Sequence, residues 1–180
     1  MTASKKMSTT LLFGLMAAAV MMLFVFGTYR AGPQTFLSWT AYLGWIIVIV
    51  LAVSAAVLGK RAKGGLLDFR AALKISFGVL VLAIFGHAFF TWLLLNVIDP
   101  HFKQTLMPLV LQNIEKTYRN FGVPEDDIRR ALDAEQGQDQ FTPGRMLSGM
   151  GRLIIIGFLI AVVIALIVKS KKEPLPNPGL

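Results

Sequence analysis

Apolar residues along this chain gather into four long runs, covering about residues 10–29, 37–58, 73–98 and 146–168. A helix rises about 1.5 Å per residue and the hydrocarbon core of a bilayer is about 30 Å thick, so roughly 20 residues suffice to cross it. Every run is that long, and none shows the alternating ten-residue pattern of a membrane barrel. The pattern predicts an all-α fold, a four-helix transmembrane bundle. Lys5 and Lys6 ahead of the first run raise the possibility of a cleaved leader, but Thr28, Tyr29 and Arg30 stand where a small-x-small cleavage site is needed. The first run is therefore read as a retained span.

The connections between runs differ in length. Residues 99–145 form the one sizeable polar segment. Within it Phe102, Leu106, Leu109, Val110, Ile114, Tyr118 and Phe121 recur at steps of three and four, the spacing of an amphipathic helix. Gly122 suits a helix stop, and Pro124 opens a second short helix with Glu125, Asp126 and Asp127 in its first turn, where the helix dipole favours acids. GQDQ (137–140) reads as loop, and Thr142-Pro143 as the start of a helix that runs directly into the fourth span. Residues 1–172 are expected to form one integral membrane domain, with the helical segment 99–145 outside the bilayer and a disordered proline-rich tail at 173–180.

Composition sharpens this picture. Hydrophobic residues make up 55% of the 180, and the mean hydropathy is +0.64, beyond what a soluble core needs. There is no cysteine, which removes disulfides, thiolate metal sites and cysteine nucleophiles. The net charge of +8 is unevenly placed. Lys5, Lys6, Lys60, Arg61, Lys63, Arg70, Lys74, Lys169, Lys171 and Lys172 share one side of the membrane with only Asp68 and Glu173. On the other side eight basic residues meet eight acids. The positive-inside rule then places both termini in the cytoplasm and segment 99–145 outside. Lys60, Arg61, Lys63, Arg70 and Lys74 are read as topology determinants facing anionic lipid, and nucleic acid is not an expected partner.

Three stretches together resemble a known family: GGLLDFRAALKISFG (64–78), NVIDPHF (96–102) and FGVPEDDIRRAL (121–132). A Gly-Gly turn before span three, an Asp-Pro step leaving it, and an extramembrane helical segment before span four are features of a bacterial four-span membrane protein family of unknown function. The resemblance covers about residues 8–172. It implies an integral, multi-pass protein of the bacterial inner membrane, and carries over no activity, cofactor or catalytic residue.

Candidate sites are few. His87, in GHAFFTW, lies deep in span three, where an ionisable group is a functional candidate by default. No acid or second histidine occurs in the apolar core of any span to partner it, and His101 lies roughly 20 Å further along the helix axis. The imidazole is expected to bond Ser54, Thr91 or a backbone carbonyl. Asn96, Asp99, Arg152 and Arg30 should meet near the outer boundary, either as an anion-binding mouth or as an Asp–Arg pair that sets helix register. Small residues recur as Gly14 and Ala18, as Ala52, Ala56 and Gly59, and as Gly144, Ser148, Gly149 and Gly151. Such spacing permits close helix contact, within the bundle or with a partner. Met16, Met21 and Met22 share no single helical face, and Gly64-Gly65 lacks the Lys-Ser or Lys-Thr of a phosphate loop.

No nucleophile, base and orienting group can be assembled from these residues, so neither an enzyme nor a cofactor is expected. The best-fitting class is a non-catalytic accessory or interaction subunit. Its expected partners are the lipid bilayer and a membrane protein or second copy, engaged through the small-residue helix faces or residues 102–136. The alternative is a small-solute or ion transporter acting as a homo-oligomer, in which His87 would carry the function.

Overall fold

The computed structural model describes residues 8–170, and Lys5, Lys6, Lys171, Lys172, Glu173 and the proline-rich tail lie outside the described residues. The described chain is helical and carries no strand. Four helices are long and apolar enough to cross a membrane, within Thr9–Arg30, Trp39–Ala62, Phe69–Ile98 and Pro143–Val168. The protein is an integral membrane protein with an all-α bundle fold.

Helix α1 (Thr9–Arg30) starts at Ser8, whose hydroxyl accepts the Leu11 amide at 3.3 Å. A short helix, α2 (Pro33–Phe36), and a 3₁₀ turn (Trp39–Tyr42) follow before α3 (Leu43–Ala62). The second span was expected to begin near residue 37, and the apolar helix begins at Trp39, its first turn 3₁₀. Ahead of it Gly32, at φ +102°, and Pro33 fold the chain into a short helical turn. Helix α4 (Phe69–Leu93) is capped by Asp68, which accepts the Ala71 amide at 3.2 Å, so it begins four residues before the expected position. It ends in a π-helical turn, Leu94–Ile98. Pro100 disfavours α geometry at the residue before it. Asp99 is accordingly extended, at φ −139°, with its amide reaching back to Leu94 O at 2.8 Å.

Helix α4 is the centre of the bundle. It packs on α1, α3 and α7 (Pro143–Val168), and 44% of its apolar window is buried, against 28% for each of the other spans. Small residues allow this: Ala52, Ala55, Ala56, Ala72, Ala161 and Ala165 are fully buried between helices. A Cβ on Gly86 would come within 2.6 Å of Ala18 Cβ, so α1 and α4 approach closely only because that position is glycine. Outward-facing Leu23, Ile46, Phe89 and Ile167 present the apolar surface a bilayer requires.

The end of the bundle bearing the termini is closed by a clasp. Gly64 and Gly65, both at positive φ, turn the α3–α4 connection back over the end of α7. Ser170 Oγ donates to Gly65 O at 2.7 Å and accepts the Leu67 amide at 2.9 Å, while Lys60 Nζ donates to Val168 O at 3.0 Å. Lys60 thus satisfies a carbonyl at the C-terminus of a helix, where a cation is favoured. Arg61, Lys63, Arg70 and Lys74 are exposed.

At the other end, α5 (Pro100–Asn120) and α6 (Glu125–Glu135) form a cap. The first turns of α5 bury Phe102 and Leu106 against Leu95, with Tyr29, Phe36, Leu37 and Phe141 around them. Gly122, at φ +70°, ends α5 as expected, and α6 folds back through Ile128. Arg119 bridges the two helices, bonding Glu115 at 3.0 Å and Glu125 at 2.5 Å.

Candidate functional site

The last three turns of α4 face a cavity of about 230 Å³ at the cap end of the bundle. Its walls come from α1 (Phe24, Thr28), the 3₁₀ turn (Ala41, Tyr42), the start of α3 (Trp45) and Phe141 ahead of α7. His87 and Thr91 supply the α4 side. The imidazole meets the Trp45 indole edge-on, with ring centroids 5.8 Å apart. Trp45 belongs to the first turn of α3, so His87 lies toward the cap end of the bundle.

Two of the cavity's hydroxyls are satisfied within their own turns. Thr28 Oγ1 donates to Val25 O at 3.0 Å, and Ser38 Oγ donates to Thr35 O at 2.9 Å. The α4 pair is different. His87 Nδ1 and Thr91 Oγ1 are both buried and have no hydrogen-bond partner among the described residues. The expected bond to Ser54, Thr91 or a carbonyl is therefore not made. A buried unpaired polar group costs on the order of 1–3 kcal/mol, so this pair, one turn apart on one helix, stands out from the cavity's other polar groups.

Beside the cavity, a polar collar ties the cap to the bundle. Tyr29 donates to Asp99 Oδ2 at 2.9 Å, and Asp99 Oδ1 accepts the Phe102 amide at 2.9 Å, capping α5. These two bonds, the amide first, hold the Asp99 carboxyl below the usual carboxylate range. Lys103 Nζ donates to Asn96 Oδ1 at 3.0 Å and to Asp139 Oδ2 at 2.7 Å, while Asn96 Nδ2 donates to Trp92 O at 3.1 Å and Phe141 O at 3.3 Å. Burial pushes Asp139 up, but Lys103 and the Phe141 amide outweigh it and hold this carboxyl low as well. Further out, Gln140 and Arg145 hold Glu135 below its ordinary value, with Arg145 Nη1 2.6 Å away.

The structure thus gathers only part of the expected outer constellation. Asn96 and Asp99 lie in the collar, but Asp99 pairs with Tyr29 and neither arginine. Arg30 and Arg152 are exposed and form no ion pair among the described residues, so the Asp–Arg pair is corrected. Tyr29 and Phe102 stack edge-to-face at 4.7 Å, which brings the tyrosine hydroxyl to the carboxylate. Tyr29, Lys103 and Asp139 were not singled out from the sequence. Their one available signal was position, since Tyr29 closes a span and Asp139 sits just before the last helix. Among the described residues no three His, Asp or Glu side chains group as metal ligands.

Each motif stretch that suggested a family falls at a junction between helices: the Gly64-Gly65 clasp, the step from the π turn Leu94–Ile98 through Asp99-Pro100 into α5, and the Gly122 turn of the cap. Over residues 10–170 the chain matches the family described as protein of unknown function, DUF4199. It belongs to that family. No curated protein and no solved structure matches it. In this DUF4199 protein the three motifs account for topology, and the cavity residues His87 and Thr91 lie between them.

Proposed function

We propose that this chain is a non-catalytic interaction subunit of a bacterial inner membrane, with both termini cytoplasmic and the cap outside. The orientation is supported by Lys60, Arg61, Lys63, Arg70 and Lys74, which all lie on the side opposite the cap. One observation carries the interaction reading. The cap is rooted in the bundle by Phe102, Leu106 and Lys103, whereas its far end presents Phe121 at 81% exposure beside Tyr118. A large exposed aromatic at the tip of a helical pair suits a partner surface.

Because the chain has no cysteine, single cysteines report cleanly on both claims. In intact cells Asp126→Cys should react with a membrane-impermeant maleimide, and Lys63→Cys only after permeabilisation; the reverse pattern would overturn the orientation. A photo-reactive phenylalanine analogue at position 121 should cross-link to one membrane protein or to a second copy. Adducts confined to lipid, with a lone monomer by native mass spectrometry, would sink the interaction reading. The transport alternative draws on the His87 cavity and predicts that His87→Ala changes a solute flux at unchanged expression.

A further inference from the structure

The orphan pair in the cavity calls for a ligand, and the lining restricts which kind. No lysine, arginine, aspartate or glutamate borders the space, so a charged headgroup would enter without a counter-charge. Five aromatic side chains, Phe24, Phe36, Tyr42, Trp45 and Phe141, surround it and favour a flat occupant. An apolar cavity of about 150 Å³ suffices for benzene, so the 230 Å³ here accommodates one substituted six-membered ring. His87 and Thr91 are four residues apart on one helix, which puts their side chains roughly 5–6 Å apart at Cβ, close enough to meet oxygens of a single head. Thr91 is 8% exposed and its hydroxyl can donate or accept, as can an imidazole nitrogen according to its tautomer.

A second feature points to a tail. Tyr42 and Trp45 also border a separate, almost wholly apolar groove between α3, α4 and α7. From those two residues it runs past Ile49, Ile84 and Ile156 to Ile160, toward the middle of the bilayer. Helix α7 contributes Leu153, Ile156, Gly157 and Ile160 to its wall. Tyr42 and Trp45 thus line both the cavity and the groove.

We propose that the cavity between α1, α3 and α4 binds the ring of an uncharged quinone-type lipid, with His87 and Thr91 bonding its oxygens and its single apolar tail lying in the α3–α4–α7 groove. Because both polar groups can donate or accept, the carbonyl and hydroxyl forms of the ring both fit. The site involves none of the exposed cap residues, so it stands or falls separately from the cap's role.

The test uses the full chain in nanodiscs, with Trp39→Phe and Trp92→Phe leaving Trp45 as the only indole. Titration with decylbenzoquinone should quench Trp45 fluorescence saturably. Thr91→Val, which keeps the shape and removes the hydroxyl, should weaken binding about fivefold, the loss of one hydrogen bond. Ala41→Phe, filling the cavity from the 3₁₀ turn, should abolish saturation, and helical circular dichroism with a melting curve shows that each variant is folded. Linear quenching without saturation would overturn the proposal, as would saturable binding indifferent to Thr91→Val, His87→Leu and Ala41→Phe. Displacement of the quinone by monoolein, a neutral lipid without a ring, at comparable concentration would overturn the ring assignment.

Discussion

The two ends of the transmembrane bundle are built on opposite terms. Toward the termini, α7 presses Gly157, Ala161, Ile164, Ala165 and Val168 into its neighbours, and the Ser170 clasp locks the turn above it. Toward the cap, the same helix places Gly144, Gly149 and Gly151 where an added Cβ would meet nothing within 4 Å. The contrast extends to buried hydroxyls on α4. Ser76 Oγ lies 3.0 Å from Ala72 O and 3.4 Å from Ala161 O of α7, whereas Thr91 Oγ1, four turns along, has no partner among the described residues. One end is closed, and the other holds a cavity in which His87 Nδ1 and Thr91 Oγ1 go without partners beside a bonded collar. Tight packing and unmet hydrogen bonding are divided between the ends of a single helix bundle.

The sharpest way to break this comparison is to add bulk to α7 at both ends. Ala165→Leu should destabilise by about 1–3 kcal/mol through overpacking. Gly151→Leu should change stability by no more than about 0.5 kcal/mol. Thermal unfolding of the purified protein in detergent measures both, and equal losses would mean that the cap end is packed as tightly as the other. A smaller effect is expected from the hydroxyl pair. Ser76→Ala should cost about 1 kcal/mol, while Thr91→Val should be neutral or slightly stabilising, because it removes an unpaired buried group. A clear loss on Thr91→Val would show that its hydroxyl is satisfied in the membrane.

The smallest effect concerns acid. Asp99 and Asp139 keep their charge in the folded cap at pH values where the unfolded chain begins to take up protons. Depressed carboxyls of this kind add stability that is whole above the unfolded pKa, about 3.9 for aspartate, and lost as pH falls through the lower folded value. Hydrogen exchange at the start of α5 should therefore be steady at neutral pH and rise only below about pH 4, after correction for intrinsic rates. The termini end should stay protected throughout. Asp99→Asn should flatten the response; an unchanged response would place its origin elsewhere.

Much of the fold was legible because each span is a local property. Twenty apolar residues must become a helix in hydrocarbon whatever their neighbours do, since no water is there to bond the backbone. Gly122 and Thr142-Pro143 were readable for the same local reason. Errors arose where distant residues decide. The second span starts where expected, but that its first turn, Trp39–Tyr42, is 3₁₀ was not legible in the apolar pattern. Asp99 was matched to arginines by charge, yet the edge-to-face stacking of Tyr29 on Phe102 delivers a hydroxyl to it first. The small residues of all three helices look alike in the sequence, but those of α1 and α3 line helix contacts while the first turns of α7 stand free.

Span number, the charge asymmetry between the two sides and the helical cap thus follow from composition and periodicity, which act within a few turns of chain. Which end of the bundle closes is a matter of tertiary structure. So are the bonding of Lys103 to Asn96 and Asp139, and the isolation of His87 and Thr91 in a cavity. Side chains from α1, α3 and α4 meet there only after the helices have packed. A missing hydrogen-bond partner is a property of that assembled neighbourhood, and no single helix carries it.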